Sequence, residues 1–266
     1  MNNSDLISII TVSKNAEKTI EKTIESIFYQ TYACFEYIII DGASTDDTLL
    51  ITERYKKLFE KKGISFRVLS EEDNGIYDAM NKGIKMAIGE WVIFMNANDC
   101  FYSNTTLQEV FDNYYDEGGQ CIYGDTVNCL IDVKYIKKSY PIDVIYYKAP
   151  FIHQALFCKK DILVKYMFDT RYKYAAEYDQ FLRMYLDGVR FKRIKQIIAC
   201  FDMSGVSQNN SKKIAEEWKV IQKKNHIYHR KYLRRKIRMV ELLLKKNQLF
   251  YRLYLRTRQR RNIGEN

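Results

Sequence analysis

Apolar and polar positions alternate in blocks along the first 99 residues of the chain. Four short apolar runs have the length and the β-branched and aromatic content of buried strands. They span residues 6–12, 35–40, 64–69 and 91–95. Between these runs, apolar residues recur at helical spacing and predict helices over residues 16–30, from Thr45 onwards and over 76–88. Such an alternation is typical of an α/β fold with a parallel sheet and right-handed crossovers.

Two local predictions refine this pattern. The helix after the second strand is expected to begin at Thr45-Asp46-Asp47. The Thr45 hydroxyl would cap the helix, and the helix dipole would stabilise the negative charges of the two Asp residues in the first turn. The second half of the chain is less regular. Its pattern predicts short strands over 121–125 and 133–138 and a helix from Ala175. An edge strand over 191–201 and a mobile loop over 204–207 are expected to follow.

Three of the strand ends carry polar clusters, and a parallel sheet brings such ends to one edge. The clusters are Ser13-Lys14-Asn15, Asp41-Gly42-Ala43-Ser44 and Asn96-Ala97-Asn98-Asp99. One cluster alone could be an ordinary turn, because Asn and Asp favour turns and helix caps. In open α/β sheets, ligands bind outside the carboxyl ends of the strands, so three clusters together indicate a site. Asp99 can ligate a hard divalent cation there, since such cations prefer oxygen ligands.

Glycine-rich phosphate loops are missing from the sequence. No Gly-x-Gly-x-x-Gly and no Walker A loop follows the first strand, which argues against the usual nicotinamide and ATP enzymes. A diphosphate bound at this edge would therefore need another counter-charge, and a metal ion at Asp99 would supply it.

Three further polar residues are ambiguous when they are taken alone. His153 lies in the apolar run over 148–157, and such a residue is more often a hydrogen-bonded core histidine than a ligand. Glu177 and Asp179 lie in a predicted first helical turn, where they could simply complement the helix dipole.

Composition and charge suggest a compartment and a second region. The chain has 266 residues, 47% of them hydrophobic, and six cysteines without a C-x-x-C pair, as expected of reduced thiols in the cytosol. The N-terminus lacks a signal-peptide pattern, and no apolar run approaches the roughly 20 residues of a membrane span. Of 43 Lys and Arg residues, 15 fall between Lys223 and Arg261, alongside one acidic residue. We predict a nearly neutral catalytic domain over residues 1–210 and a basic amphipathic helical extension over 211–266.

Five sequence segments, in this order along the chain, carry a family resemblance. They are Ile7–Asn15, Ile39–Thr48, Asp73–Gly83, Phe94–Asp99 and Ile152–Gln154. Over about residues 6–207 the chain resembles the family 2 glycosyltransferases with the A-type nucleotide-sugar fold, particularly bacterial members that build polysaccharides. The resemblance implies a mostly parallel, Rossmann-like sheet flanked by helices. It also implies an inverting glycosyltransferase of the hexosyltransferase type that uses a nucleotide-sugar donor, with UDP as the expected nucleotide.

The resemblance further implies which residues bind the donor. Asp41 matches an acid that contacts the uracil or the ribose of the nucleotide, and Asn98 would face the ribose. The full set expected at the nucleotide-sugar is Ser13, Asn15, Asp41, Asn74, Gly75, Asp78, Asn81 and Asn98. Gly42 departs from the family, which often has a second acid next to the first.

The expected metal ligands and catalytic base also come from the resemblance. Asp99 matches the metal-binding Asp of the D-x-D signature, here reduced to one carboxylate, and His153 matches a residue near the diphosphate and metal. Mg²⁺ or Mn²⁺ is therefore the implied cofactor. Glu177 matches the catalytic base at the start of a helix on the acceptor side, where the family more often has Asp. Asp179 is the competing carboxylate.

The implied partners are a UDP-sugar donor and a lipid-linked saccharide or growing surface polysaccharide as acceptor. Two alternatives remain open on sequence grounds. A sugar-phosphate nucleotidyltransferase shares the α/β sheet and the metal, but it normally has a Gly-rich N-terminal loop, unlike Ser13–Ala16. A non-enzymatic nucleic-acid-binding protein would suit the basic tail, but the nearly neutral body argues against it, so no nucleic-acid partner is expected.

The basic segment over 223–261 predicts contact with an anionic membrane surface. An apolar stripe at helical spacing runs along it, with Lys and Arg elsewhere around the helix. The stripe consists of Leu233, Ile237, Val240, Leu244, Tyr251 and Leu255. A basic helix with such a stripe suits an anionic leaflet, so we expect a cytoplasmic protein that is peripheral on the inner face of the cell membrane. The alternative is that the stripe packs on the catalytic domain or on a second subunit of a homo-oligomer.

Overall fold

The computed structural model describes residues 6–114, 118–130, 133–203 and 210–227. The chain divides into two compact units, Met1–Trp218 and Lys219–Asn266. The loop predicted over 204–207 and the tail from residue 228 onwards lie outside the described residues. Within the described ranges, no helix has the length and apolar character that a membrane span requires.

The described elements alternate as predicted in the first half and are mixed in the second. The strands are β1 (Ile7–Ser13), β2 (Phe35–Asp41), β3 (Phe66–Ser70), β4 (Trp91–Phe94), β5 (Cys100–Phe101), β6 (Cys121–Leu130), β7 (Val133–Lys137), β8 (Leu156–Lys159) and β9 (Phe191–Asp202). The α-helices are α1 (Ile20–Phe28), α2 (Thr48–Lys61), α3 (Ile76–Met86), α4 (Thr106–Tyr114), α5 (Lys160–Lys165), α6 (Ala176–Leu186) and α7 (Ser211–Lys224). Short 3-10 turns span Ile142–Tyr146 and His153–Ala155.

The first four strands form the parallel half of the sheet, in the order β3-β2-β1-β4. Both faces of β1 and β2 are buried because helices cover each face. Helices α1, α2 and α4 pack on one face, around Ile9 and Ile39. Helix α3 lies on the other face, so closely that a Cβ on Gly83 would come within 2.6 Å of Ile10 Cγ2. The predicted parallel α/β sheet is confirmed for this half.

The register of these strands gathers the polar ends at one edge. Ser13, at the end of β1, pairs with Asp41, at the end of β2, and Asp41 pairs in turn with Ser70, at the end of β3. Beyond the end of β4, the backbone N–H of Met95 donates to the carbonyl of Ile10, so this strand also ends at the edge.

The second half of the sheet is mixed, and it corrects two sequence predictions. Strand β8 pairs antiparallel with β4 and with β6, while β6 and β9 are parallel. The predicted edge strand, β9, lies between β6 and the two-residue β5, which is the last strand on that side of the described sheet. The predicted short strand at 121–125 continues to Leu130 because it pairs with both β9 and β7.

The predicted cap of α2 is wrong. The helix begins at Thr48, and Asp46, rather than Thr45, accepts hydrogen bonds from the backbone N–H and the hydroxyl of Thr48. The Thr45 N–H instead donates to Asn15 Oδ1 at 2.9 Å. Thr45 therefore belongs to the contact between the loops that follow β1 and β2. Local sequence does not reveal this contact.

Candidate active site

Asp41 organises the ends of three strands. It is fully buried, and Oδ1 accepts hydrogen bonds from the hydroxyls of Ser44 (2.5 Å) and Ser13 (3.3 Å). Its Oδ2 accepts from the Ser44 N–H and the Ser70 hydroxyl, both at 2.8 Å. These four bonds use the carboxylate fully. Asp41 therefore shapes the loops of the expected nucleotide site, and its side chain has no exposed surface there.

Gly42 is required by the neighbouring acid Asp73. A Cβ at residue 42 would collide with the Asp73 carboxylate, whose other oxygen accepts the Gly75 N–H at 2.9 Å. The second acid that the family often has after the first is absent here, and the Asp73 carboxylate occupies the adjacent space. Sequence patterns did not single out Asp73 as a site residue, although the Asp41-Gly42 pair was a signal that could have raised the question.

The remaining expected donor-binding residues differ in how accessible they are. Asn15, Asn74 and Gly75 are exposed, whereas Asp78 and Asn98 are half-buried. Asp78, in the first turn of α3, accepts the Asn74 N–H at 3.0 Å and so orders this loop. Asn15 joins the β1 and β2 loops by accepting the Thr45 N–H. The structure thus brings these loops together at the sheet edge.

Asn81 has a structural environment. It is buried, and its amide both donates to the carbonyl of Phe168 at 2.9 Å and accepts the N–H of Phe168 at 3.0 Å. Both ends of the amide are occupied by protein backbone. This arrangement fastens α3 to the segment that precedes α6.

Asp99 is buried beyond the end of β4 and bound by two donors. Oδ2 accepts from Gln154 Nε2 at 2.6 Å, and Oδ1 accepts the backbone N–H of Asp202 at 2.9 Å. Burial raises the pKa of Asp99 to about 6, against the opposing effects of the Asp202 N–H, the His153 charge and the Gln154 bond. Residue 202 lies at the end of β9, so a strand distant in sequence completes this part of the site.

His153 connects the end of β4 to the start of α6. Its Nδ1 lies 2.9 Å from Glu177 Oε1, and its Nε2 lies 3.1 Å from Asn96 Nδ2. A neutral ring with a proton on Nδ1 satisfies both contacts, because Nε2 then accepts from the Asn96 amide. Burial lowers the pKa of His153, but the charge and hydrogen bond of Glu177 raise it more, and the net shift is upward. The sequence placed His153 in an apolar run, and only the fold brings Glu177 and Asn96 to it.

The two carboxylates at the start of α6 have opposite surroundings. Asp179 is completely buried, and its Oδ2 accepts from Arg183 Nε at 2.7 Å. The Glu177 side chain is 30% exposed and bonds to His153. An acceptor hydroxyl can approach a partly exposed carboxylate but not one buried in an ion pair. The geometry therefore favours Glu177 over Asp179 as a base.

The donors around Asp99 do not form a ready-made metal site. Both Asp99 oxygens and both His153 nitrogens already have partners. In the ranges that the structure describes, no three His, Cys, Asp or Glu side chains cluster in a way that could hold a metal ion. The buried Asn96 Oδ1 has no hydrogen-bond partner. One amide oxygen and one carboxylate are nevertheless few protein ligands for Mg²⁺ or Mn²⁺.

The family model of glycosyl transferase family 2 matches residues 8–181, which include the ends of β1 to β4 and Glu177. The chain belongs to glycosyl transferase family 2. It is thus a glycosyltransferase, and neither a sugar-phosphate nucleotidyltransferase nor a non-enzymatic nucleic-acid-binding protein.

Two relatives of this glycosyltransferase carry names that refer to PGL/p-HBAD biosynthesis and to teichuronic acid biosynthesis. It is 28% identical over 195 residues to a PGL/p-HBAD biosynthesis glycosyltransferase of Mycobacterium tuberculosis, covering 73% of this chain and 75% of the relative. It is 38% identical over 94 residues to the putative teichuronic acid biosynthesis glycosyltransferase TuaG of Bacillus subtilis, covering 35% of this chain and 36% of that protein.

Solved structures confirm the fold of this glycosyltransferase. S. aureus TarS 1-349 in complex with UDP-GlcNAc matches with a TM-score of 0.63 at 19% identity, over 75% of this chain and 59% of TarS. The mannosyltransferase PcManGT of Pyrobaculum calidifontis, in complex with GDP-Man and Mn²⁺, matches with a TM-score of 0.57 at 19% identity, over 73% of this chain and 56% of that chain. This glycosyltransferase therefore spans less than two thirds of either solved chain.

Proposed function

We propose that this glycosyltransferase transfers a hexose from a UDP-sugar to an acceptor hydroxyl with inversion at the anomeric carbon. The observation that carries the proposal is the hydrogen-bonded series Glu177–His153–Asn96. It ties a partly exposed carboxylate at the start of α6 to the polar cluster after β4. A base for the acceptor thereby lies next to the edge where a donor is expected to bind.

The chemistry proposed for this geometry is a single displacement. The acceptor oxygen attacks the anomeric carbon and gives its proton to the Glu177 carboxylate. On the opposite face, the bond from the anomeric carbon to the diphosphate oxygen breaks, and its electron pair leaves with UDP. Inversion follows because attack and departure lie on opposite faces. The His153 contact holds Glu177 in place for this step, which supports efficient in-line attack.

UDP is proposed as the donor nucleotide, with its contacts at the loops after β1, β2 and β3. The accessible side chains and backbone there are those of Asn15, Asn74 and Gly75, with Asn98 beyond β4. The TarS structures in complex with UDP and UDP-GlcNAc support this choice. The buried carboxylate of Asp41 would act by shaping these loops.

The use of Mg²⁺ or Mn²⁺ at Asp99 and His153 remains a prediction. The structural neighbour PcManGT is in complex with Mn²⁺, which supports this prediction. Both carboxylate oxygens of Asp99 already accept hydrogen bonds, which counts against a preformed metal site. A cation that bound Asp99 would share an oxygen that already accepts a hydrogen bond from Gln154 or from the Asp202 N–H. A cation held there would neutralise the diphosphate as it leaves.

A lipid-linked saccharide or a growing surface polysaccharide is proposed as the acceptor. The names of the mycobacterial relative and of TuaG support a role in glycolipid or polysaccharide biosynthesis. Contact of residues 223–261 with the inner face of an anionic membrane would bring the enzyme to such an acceptor. Packing of that segment on protein remains the alternative.

The donor and the stereochemistry can be tested together. The panel consists of UDP-glucose, UDP-galactose, UDP-GlcNAc and GDP-mannose, each with Mn²⁺ or with EDTA. A bound donor should raise the melting temperature, because a ligand of the native state stabilises it. The donor that does so should also be turned over, with release of its nucleotide, and NMR of the product should show the inverted anomer. A retained anomer, or stabilisation by GDP-mannose alone, would contradict the proposal.

A further inference from the structure

Helix α6, which carries Glu177, begins without a side-chain cap of its own. Its N-cap residue is Ala175, which makes no capping hydrogen bond. An α-helix leaves its first four N–H groups without partners inside the helix, so the start of α6 depends on groups from elsewhere in the chain.

Glu217 of α7, 42 residues beyond Ala175, binds the backbone that leads into α6 and the N–H of its N-cap residue. Its Oε1 accepts the N–H of Lys173 at 2.9 Å, and its Oε2 accepts the N–H groups of Tyr174 (2.9 Å) and Ala175 (2.8 Å). Hydrogen bonds from backbone N–H to a carboxylate are shorter and stronger than those between neutral groups. One side chain therefore orders three consecutive residues that lead into α6.

Tyr77 of α3 contacts the next part of the same helix start. The backbone of Ala176 and Glu177 lies close enough to its hydroxyl to lower the pKa of Tyr77. Burial, followed by the negative charges of Glu177 and Glu217, raises the pKa of Tyr77 well above its ordinary value, so the hydroxyl stays neutral. The backbone of residues 173–175 is thus held by Glu217, and the buried Tyr77 hydroxyl lies beside residues 176 and 177.

Two more residues of α7 contact the same region. Trp218 stacks on Tyr178, with ring centroids 3.9 Å apart and an interplanar angle of 9°. Lys213, one helical turn before Glu217, donates to the Tyr174 hydroxyl at 3.3 Å. Side chains four residues apart lie on one face of a helix, so the first turns of α7 present one surface to the start of α6.

We propose that Glu217 is a positioning residue for sugar transfer, which holds the entry to α6 so that Glu177 keeps its contact with His153. The inference rests on the proposed function, because it takes Glu177 as the base. Without the Glu217 carboxylate, three backbone N–H groups lose their acceptor, and the helix start can shift. A displacement of about 1 Å at a reacting group can slow catalysis by about a hundredfold.

A first experiment measures the contact without any substrate. Hydrogen–deuterium exchange of the full chain is followed over residues 173–177 in the wild type, in Glu217→Gln and in the control Glu216→Gln. Glu216 is the exposed neighbour on the same helix. We expect exchange about tenfold faster in Glu217→Gln, because local opening becomes easier, and no change in Glu216→Gln. Equal exchange in all three proteins would overturn the proposal.

A second experiment measures the consequence for catalysis. Release of UDP from UDP-glucose, UDP-galactose or UDP-GlcNAc is compared in the wild type, Glu217→Gln, Glu177→Gln and the double variant. In Glu217→Gln we expect kcat to fall by roughly 10- to 100-fold with little change in KM for the donor. In the Glu177→Gln background, the second change should have no further effect, because both act through one group. Equal losses in both backgrounds would overturn the positioning role.

A third variant covers the case in which Glu217→Gln melts at a clearly lower temperature than Glu216→Gln. Glu217→Asp keeps the carboxylate on a shorter side chain and should recover part of the lost kcat. No recovery would contradict the role assigned to the carboxylate. Absence of UDP release by the wild type from the whole panel would instead refute the proposed function, and the inference with it. Release by the wild type that Glu217→Gln leaves intact would refute the inference alone.

Discussion

Glu177→Gln and Asp179→Asn should separate catalysis from stability. Asp179 is completely buried in an ion pair with Arg183, at 2.7 Å between Oδ2 and Nε. Glu177 is partly exposed and bonds to His153. We therefore expect Asp179→Asn to lose stability and to retain turnover, and Glu177→Gln to behave in the opposite way.

The structure sets the size of each effect. Breaking a buried ion pair by removing one partner typically costs about 3–5 kcal/mol. Arg183 keeps a 2.8 Å hydrogen bond to the carbonyl of Met167, so we expect the lower end, about 3 kcal/mol, for Asp179→Asn. In a chain of this size, that loss corresponds to a fall in Tm of roughly 6–12 °C.

Glu177→Gln keeps an oxygen that can accept from His153. An ion pair at a partly exposed position contributes about 1 kcal/mol or less, so Tm should change by only a few degrees. Loss of a general base slows turnover by about 10²–10⁴-fold. Glu177→Gln should therefore melt near the wild type and turn over far more slowly.

Calorimetry gives the melting temperatures of both variants. UDP release is then measured well below these temperatures, so that loss of activity is not caused by unfolding. Glu60→Gln, an exposed carboxylate on α2, is the matched control and should change neither quantity. An inactive Asp179→Asn that melts like the wild type, beside a fully active Glu177→Gln, would refute the reasoning and identify Asp179 as the base.

Three further predictions concern pH, metal and membrane. Burial raises the pKa of Asp125, but hydrogen bonds from Lys138 and Ser139 lower it more. The stabilisation that the Asp125 carboxylate provides is therefore full above its unfolded-state pKa and is lost as pH falls through its folded-state pKa. We expect Asp125→Asn to be less stable than the wild type by about 2 kcal/mol at pH 7. Near pH 2 the two proteins should be equally stable in acid titrations followed by circular dichroism. If Mn²⁺ acts through Asp99, EDTA should weaken UDP binding by the wild type in calorimetry, and Asp99→Asn should bind UDP equally with and without Mn²⁺. If residues 223–261 contact an anionic leaflet, changing Arg234, Arg235 and Arg238 to Gln should weaken the free energy of vesicle binding by about 3 kcal/mol, or roughly a hundredfold in affinity. An unchanged affinity in vesicle co-sedimentation would favour packing of this segment on protein.

Local sequence was sufficient for the parallel half of the fold. The first four strands and three helices follow from runs and repeats of apolar residues, because their period is set by strand and helix geometry alone. The polar strand ends follow as well, since a parallel sheet places the carboxyl ends of its strands along one edge. Helix starts were less predictable. At the start of α2, Thr48 is bound by Asp46, only two residues earlier, although the sequence pattern had pointed to Thr45. The residues that lead into α6 are bound by Glu217, 42 residues away, which no local pattern reveals.

The sequence by itself therefore determined the class of fold, the sheet edge where the site is expected and the short list of candidate side chains. Only the tertiary structure decided which of them are accessible. Asp41 and Asp179 are ionisable residues in sequence contexts typical of a site, yet both are buried, whereas Glu177 is partly exposed and meets His153. The physical reason is that periodicity depends on neighbours along the chain. Burial and hydrogen-bond partners depend on segments dozens of residues away, which meet only when the chain folds.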